Sequence, residues 1–262
     1  MQEIMFGKKI LPVVASILSI FLLWEIVCLL VGNAIILPSP IMVLKTMLGL
    51  LGTAAFLAAL GATSLRLLIG LLISAPLGIV VGLVCGVNKT VRWFFKPIFT
   101  IIAATPVMSV ILIAYLAFGS EKTPIFTAFL MVFPVMAANT IAGITAIDTK
   151  YIELCNIYNL SRSQRIKYMY LPFIMPFLAG GFRSAMSLAW KVVVAAEVLV
   201  QPLAALGSGM QLAKANLETS ELFAWTACTV IAAALSELLF SNAVRLRDFV
   251  RLIFSSLTRT EK

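Results

Sequence analysis

Four ionisable side chains sit inside long apolar runs of this sequence: Glu25, Lys191, Glu197 and Glu237. A charge surrounded by hydrocarbon is costly, so such residues mark ion pairs, proton or ion relays, or solute paths. Lys191 and Glu197 are six positions apart. At about 100° per helical residue they fall about 120° short of facing each other, so they do not pair along their own helix. Each is expected to find its partner on another segment, with Glu25 or Glu237 as the acidic candidates for Lys191. An interhelical ion pair that fixes packing is the favoured reading for Glu25 and Glu237. Lys191 is also placed to attract an anionic solute if it stands unpaired in a path.

Other chemistries are poorly served. The chain has no His, and its four cysteines, Cys28, Cys85, Cys155 and Cys228, are scattered singly. A zinc site, a His relay and a Ser-His-Asp triad therefore lack their residues. No catalytic residue and no metal ligand is expected.

The segments that must position the charges are apolar to an extent no soluble domain shows. Of 262 residues 61% are hydrophobic and 12% charged, with a mean hydropathy of +1.06. A helix needs about 20 mostly apolar residues to cross a bilayer. The runs that qualify predict six spans, at about 10–31, 65–87, 98–118, 124–147, 175–200 and 222–243, in one transmembrane domain covering 1–262. The first run is longer than a signal-peptide core and contains Trp24 and Glu25, so it is read as a retained helix.

Lys and Arg are biased to the cytoplasmic side of membrane proteins. With both termini inside, that side collects Lys8, Lys9, Lys89, Arg92, Lys96, Lys150, Arg162, Arg165, Lys167 and the basic end from Arg245. Arg66 and Arg183 fall in spans or at their edges. The net charge of +9 then reflects this asymmetry and anionic headgroups. It requires no nucleic-acid partner.

Pro38 and Pro40 predict a break after the first span, followed by an amphipathic stretch from Val43 to about Leu60. Gly78, Gly82 and Gly86 recur every four residues and make a smooth stripe for close helix packing, read as packing within one subunit in preference to a dimer seam. Pro76, Pro106 and Pro134 each remove a backbone donor and favour kinks.

The connection at 148–172 is too polar to cross. Its apolar residues, Ile152, Leu154, Ile157, Leu160 and Ile166, recur at near-helical spacing among Lys150, Glu153, Asn159, Ser161, Arg162, Gln164, Arg165 and Lys167. Short helices on the cytoplasmic face follow from this, presenting a surface for another protein or resting on lipid.

In this connection Glu153-Leu154-Cys155, then Asn159, Leu171-Pro172 and Pro176, resembles the coupling motif of binding-protein-dependent ABC transporter permeases. The family pattern has Glu-Ala-Ala, a Gly four residues later and a Leu-Pro ending. Here Leu154 and Cys155 replace the alanines, and Asn159 stands at the glycine. Asn best tolerates a left-handed backbone among non-glycine residues, so the turn survives. The resemblance covers most of the chain from about Trp24. Leu37-Pro38-Ser39-Pro40 resembles the family's external segment, and Lys96-Pro97 through Thr105-Pro106 with Phe118-Gly119 resembles its third span. Phe133-Pro134 through Gly143, Gly181-Phe182-Arg183, Ala189-Trp190 and Ala196-Glu197 look most like the nitrate/sulfonate/taurine branch.

The resemblance implies an all-α, type I importer-like permease with a cytoplasmic coupling helix, in a bacterial inner membrane. It implies a second permease subunit, most simply a second copy, a pair of cytoplasmic ATPase subunits carrying ATP and Mg, and an extracytoplasmic solute-binding protein. The ATPase would dock near Glu153, Leu154, Cys155, Asn159, Ser161, Arg162, Arg165, Leu171 and Pro172, and Glu197 would lie near the path. No Gly-rich phosphate loop occurs in the chain, so the energy for transport must come from a partner or an ion gradient. The solute class implied is a sulfonate-, taurine- or nitrate-like anion, or a vitamin precursor. An ion-coupled secondary transporter that uses the membrane carboxylates is the alternative, and a membrane-embedded enzyme comes third.

Overall fold

A computed structural model describes the backbone of residues 2–257; the side chains of residues 2–11, Arg162 and 243–257 lie outside the described set. In chain order the helices are α1 (Gln2–Val31), α2 (Pro40–Leu51), α3 (Ala54–Val87), α4 (Lys89–Ala104), α5 (Val107–Thr145), α6 (Thr149–Ile157) and α7 (Arg162–Arg165). A π-helical turn (Ile166–Tyr170) then leads into α8 (Leu171–Val200), α9 (Leu206–Ala215) and α10 (Thr219–Leu257).

Boundaries follow local chemistry. Ser39 caps α2 by accepting the Met42 N–H at 3.3 Å, and Pro40 takes the first helical position, where a missing N–H costs nothing. Thr53 then caps α3 through the Phe56 N–H at 3.2 Å. The amphipathic stretch from Val43 to about Leu60 is therefore two helices divided at Gly52-Thr53. Because α3 begins at Ala54, Thr63 and Arg66 lie within the second crossing helix rather than at its edge.

The segment expected as one span at 98–118 is also two pieces. Thr105 and Pro106 are extended, with ψ of 127° and 126°, because Pro106 disfavours a helical residue before it and lacks the N–H that would continue α4. Gly119, at φ 71° and ψ 179°, interrupts α5, and Phe118 packs on Phe126 across that bend with centroids 4.8 Å apart. Phe99 of α4 rests on Phe133 of α5 at 5.8 Å. About six crossing segments result: α1, α3, α4 with the start of α5, the remainder of α5, α8 and α10. Four of the helices, those containing Pro12–Val31, Ala54–Val87, Val107–Thr145 and Thr219–Asn242, are long and apolar enough to cross by themselves. α8 carries Arg183, Lys191 and Glu197 along its 30 residues.

The core is a layer of α3, α5 and α8, with Leu67, Leu71, Val132, Met136, Ala189 and Val193 buried between them. The glycine stripe of α3 makes this closeness possible. A Cβ at Gly78 would lie 2.6 Å from the Met136 Cβ, and one at Gly82 2.5 Å from the Thr140 Cβ. The stripe thus packs against α5 of the same chain. Outside the core the surface is apolar: Leu29, Leu30, Leu72 and Leu116 are at least 72% exposed. Such a surface aggregates in water and is satisfied by hydrocarbon.

Candidate functional site

Two places concentrate candidate functional side chains, at opposite ends of α8. At its C-terminal end Glu197 is fully buried, roughly 39 Å along the helix from Leu171 at 1.5 Å per residue. Its partner is Arg66 of α3, whose Nη1 donates to Oε1 at 2.9 Å. The Thr63 hydroxyl donates to the same carboxylate at 2.9 Å, and the Gly207 N–H donates to Oε2 at 3.3 Å. Thr63 in turn accepts the Leu206 N–H at 3.0 Å. Arg66 continues outward, with Nη1 donating to the Ala204 carbonyl at 2.8 Å and Nη2 to Glu121 at 2.5 Å. Glu121 accepts the Leu203 N–H at 3.1 Å.

One guanidinium therefore holds two carboxylates and the segment linking α8 to α9. The linker's course is set locally as well. Gln201 ends α8 in the left-handed region at φ 46°, and Gly207 brings α9 against α8 so closely that a Cβ there would lie 2.5 Å from the Glu197 Cβ. Buried charges are stable only when paired and hydrogen-bonded on their remaining positions. Glu197 meets that condition, and among the described residues no buried side-chain polar atom lacks a partner.

Lys191 does not pair with Glu25 or Glu237. It is exposed on α8 and forms no ion pair among the described residues. Glu237 of α10 faces Arg183 of α8 at 3.7 Å instead, and Arg183 also donates to the Ser241 hydroxyl at 2.8 Å. Glu25 is half-buried on α1, likewise outside any described ion pair. The reason is geometric: α8 lies on α3 and α5, so its buried face meets Arg66. Sequence reading missed Arg66, Thr63, Glu121 and Arg183 as partners. The usable signal was a cation at the edge of an apolar run.

At the other end of α8, the connection forms a compact cap. Asp148 starts α6 by accepting the Lys150 N–H at 3.0 Å. Ser161 and Gln164 exchange backbone and side-chain bonds, at 2.8 and 3.3 Å, in a capping box that starts α7. Asn159 adopts φ 48°, and Arg165 Nε donates to the Leu160 carbonyl at 3.0 Å, closing the turn. Cys155 is buried with its Sγ 3.4 Å from the Met169 Sδ and packs with Ile147.

That seat turns the opposite face outward. Glu153, Asn159, Ser161 and Pro172 are exposed, and so are the apolar Leu154 at 53%, Ile157 at 75%, Tyr158 at 70% and Leu171 at 41%. Of the residues expected at this surface, Cys155 and Arg165 hold the cap together from inside. Arg162 begins α7, and its side chain lies outside the described set.

The crossing helices make this chain a multi-span helical membrane protein, and comparison makes the class specific. Residues 74–248 match the family described as binding-protein-dependent transport system inner membrane component. The chain belongs to that family: it is an ABC transporter permease, a multi-pass inner-membrane transport component and not an enzyme. The taurine transport system permease protein TauC of Escherichia coli (strain K12) is 28% identical over 82% of this chain and 80% of its own. The nitrate import permease protein NrtB of Synechocystis sp. is 27% identical over 74% of each chain, and the putative aliphatic sulfonates transport permease protein SsuC of Bacillus subtilis 27% identical over 69% of this chain and 66% of its own. Among solved structures, a chain of the inward-facing MetNI methionine ABC transporter superposes with a TM-score of 0.56 at 18% identity, covering 72% of this chain and 92% of that one. This likeness is one of fold.

Proposed function

We propose that this chain forms, with a second permease subunit, the translocation path of an ATP-driven importer for a small anion of the sulfonate, taurine or nitrate kind. The observation that carries the proposal is the exposed apolar face of α6, at Leu154, Ile157 and Tyr158, on a helix seated from its other side by Cys155 and Met169. A helix fixed on one face and apolar on the other fits a groove on a partner protein. The ATPase docks here, on the cytoplasmic side, with both termini on that side and the Arg66–Glu197 cluster toward the outer face, where a binding protein delivers solute.

Lys191 supports the second subunit. An intramembrane cation faces a partner or a water-filled cavity rather than lipid, and Lys191 is exposed on the single chain. It lines the path and draws the anion. The family assignment displaces the alternative of a secondary transporter worked by the membrane carboxylates.

The test is uptake by vesicles reconstituted with the permease, its ATPase and its binding protein. Uptake requires ATP, and Lys191→Met reduces uptake of an anionic solute about tenfold, the loss of roughly one favourable charge contact. Unchanged uptake in Lys191→Met would remove that residue from the path. The ligand retained by the cognate binding protein identifies the solute.

A further inference from the structure

Between α4 and the second part of α5 runs a groove of about 720 Å³, within the roughly 300–1,000 Å³ usual for ligand sites. One wall is a single stripe of α4: Lys89, Arg92, Lys96, Phe99 and Ala103. These positions repeat at three and four residues, so they share a helix face. The stripe changes character along its length, with three cations in its first half and apolar residues in its second. Pro134, Ala138 and Ile141 of α5 make the facing wall, which is apolar throughout.

All three cations line the groove, and two of them are held by neighbouring groups. Arg92 is anchored by Nε to the Cys85 carbonyl at 2.8 Å and by Nη2 to the Gly86 carbonyl at 2.6 Å, which fixes a positive group at the groove's end. The Lys96 ammonium stands 5.0 Å over the Trp93 ring. Lys89 and Lys96 are exposed, and no carboxylate pairs with any of the three among the described residues.

We infer that this groove binds an anionic glycerophospholipid, its phosphate held by Lys89, Arg92 and Lys96 and one acyl chain laid along Phe99, Ala103, Pro134 and Ala138. A free inorganic anion has no use for the apolar half. The dimensions agree: from Lys89 to Ala103 the stripe is about 21 Å long at 1.5 Å per residue, about 10 Å of it basic and about 10 Å apolar, room for a headgroup and the first two-thirds of the roughly 15 Å of hydrocarbon in one leaflet. Basic grooves between membrane helices at the bilayer surface select anionic headgroups. Trp93 adds an aromatic ring at the level where headgroup and chain meet.

The experiment is native mass spectrometry of the full-length chain released from nanodiscs of equal phosphatidylglycerol and phosphatidylethanolamine. Wild type retains phosphatidylglycerol selectively. Lys89→Gln/Lys96→Gln lowers that retention by roughly 30-fold, about fivefold for each cation removed at the surface. Ala138→Trp, which fills the apolar half without touching charge, also lowers it. Lys150→Gln/Lys167→Gln, the same charge change on the α6 cap, leaves it unchanged. Equal loss in that control, or retention unchanged in either groove variant, overturns the inference. Crosslinking of Ala138→Cys to a second copy in the membrane overturns it too, because a neighbouring subunit then fills the groove.

Discussion

Arg66 is the residue on which the far end of α8 depends. It neutralises a carboxylate with no exposure, and it ties down the Ala204 carbonyl and Glu121 with its remaining donors. Removing one member of a buried pair leaves an uncompensated charge, at a cost of about 3–5 kcal/mol. Arg66→Met therefore destabilises the purified protein more than Glu197→Gln, which leaves Arg66 paired with Glu121 and costs about 1–3 kcal/mol. Arg66→Met/Glu197→Leu recovers part of the loss. Thermal unfolding in one detergent ranks the three, and Arg66→Met as stable as Glu197→Gln would contradict this account. Glu197 was legible in the sequence as a charge in need of a partner. Its partner was not, because the pairing depends on how α3 and α8 cross, and spacing along one helix carries no information on that crossing.

At the scale of elements, most of the helices could be read from where apolar runs begin and end. One failure came from using charge to mark the end of a span. Arg66 is inside α3 because Glu197 offsets its charge, so the helix begins at Ala54 instead of near residue 65. The broken third segment was visible only as Pro106 in an apolar run, and proline alone does not distinguish a bend from a full stop. The glycine stripe was more informative, since it requires a close neighbour whichever neighbour that is. Gly82→Ala puts a methyl 2.5 Å from the Thr140 Cβ and lowers stability by about 1–3 kcal/mol through overpacking. Gly61→Ala in the same helix meets nothing within 4 Å. It is neutral or slightly stabilising, as Gly gives way to a better helix former. Equal melting shifts for the two would refute the packing assigned to the stripe.

On the scale of the whole molecule, the chain is incomplete in two directions. Its lateral surface is apolar and needs a membrane, and its α6 cap exposes Leu154, Ile157 and Tyr158, the face proposed above to meet the ATPase. A coupling role for the loop is what the resemblance at Glu153 and the Leu171-Pro172 ending implies. The structure adds a physical division of labour that the sequence did not show, with Cys155 facing inward and Leu154 outward. The measurement that bears most directly on the central claim is co-purification of the ATPase with the tagged permease from native membranes. Wild type retains the ATPase, and Leu154→Asp/Ile157→Asp, which changes only exposed positions, releases it while the permease stays monodisperse. An ATPase held equally well by that variant, or a wild-type permease that retains none and transports under an ion gradient alone, would contradict the account.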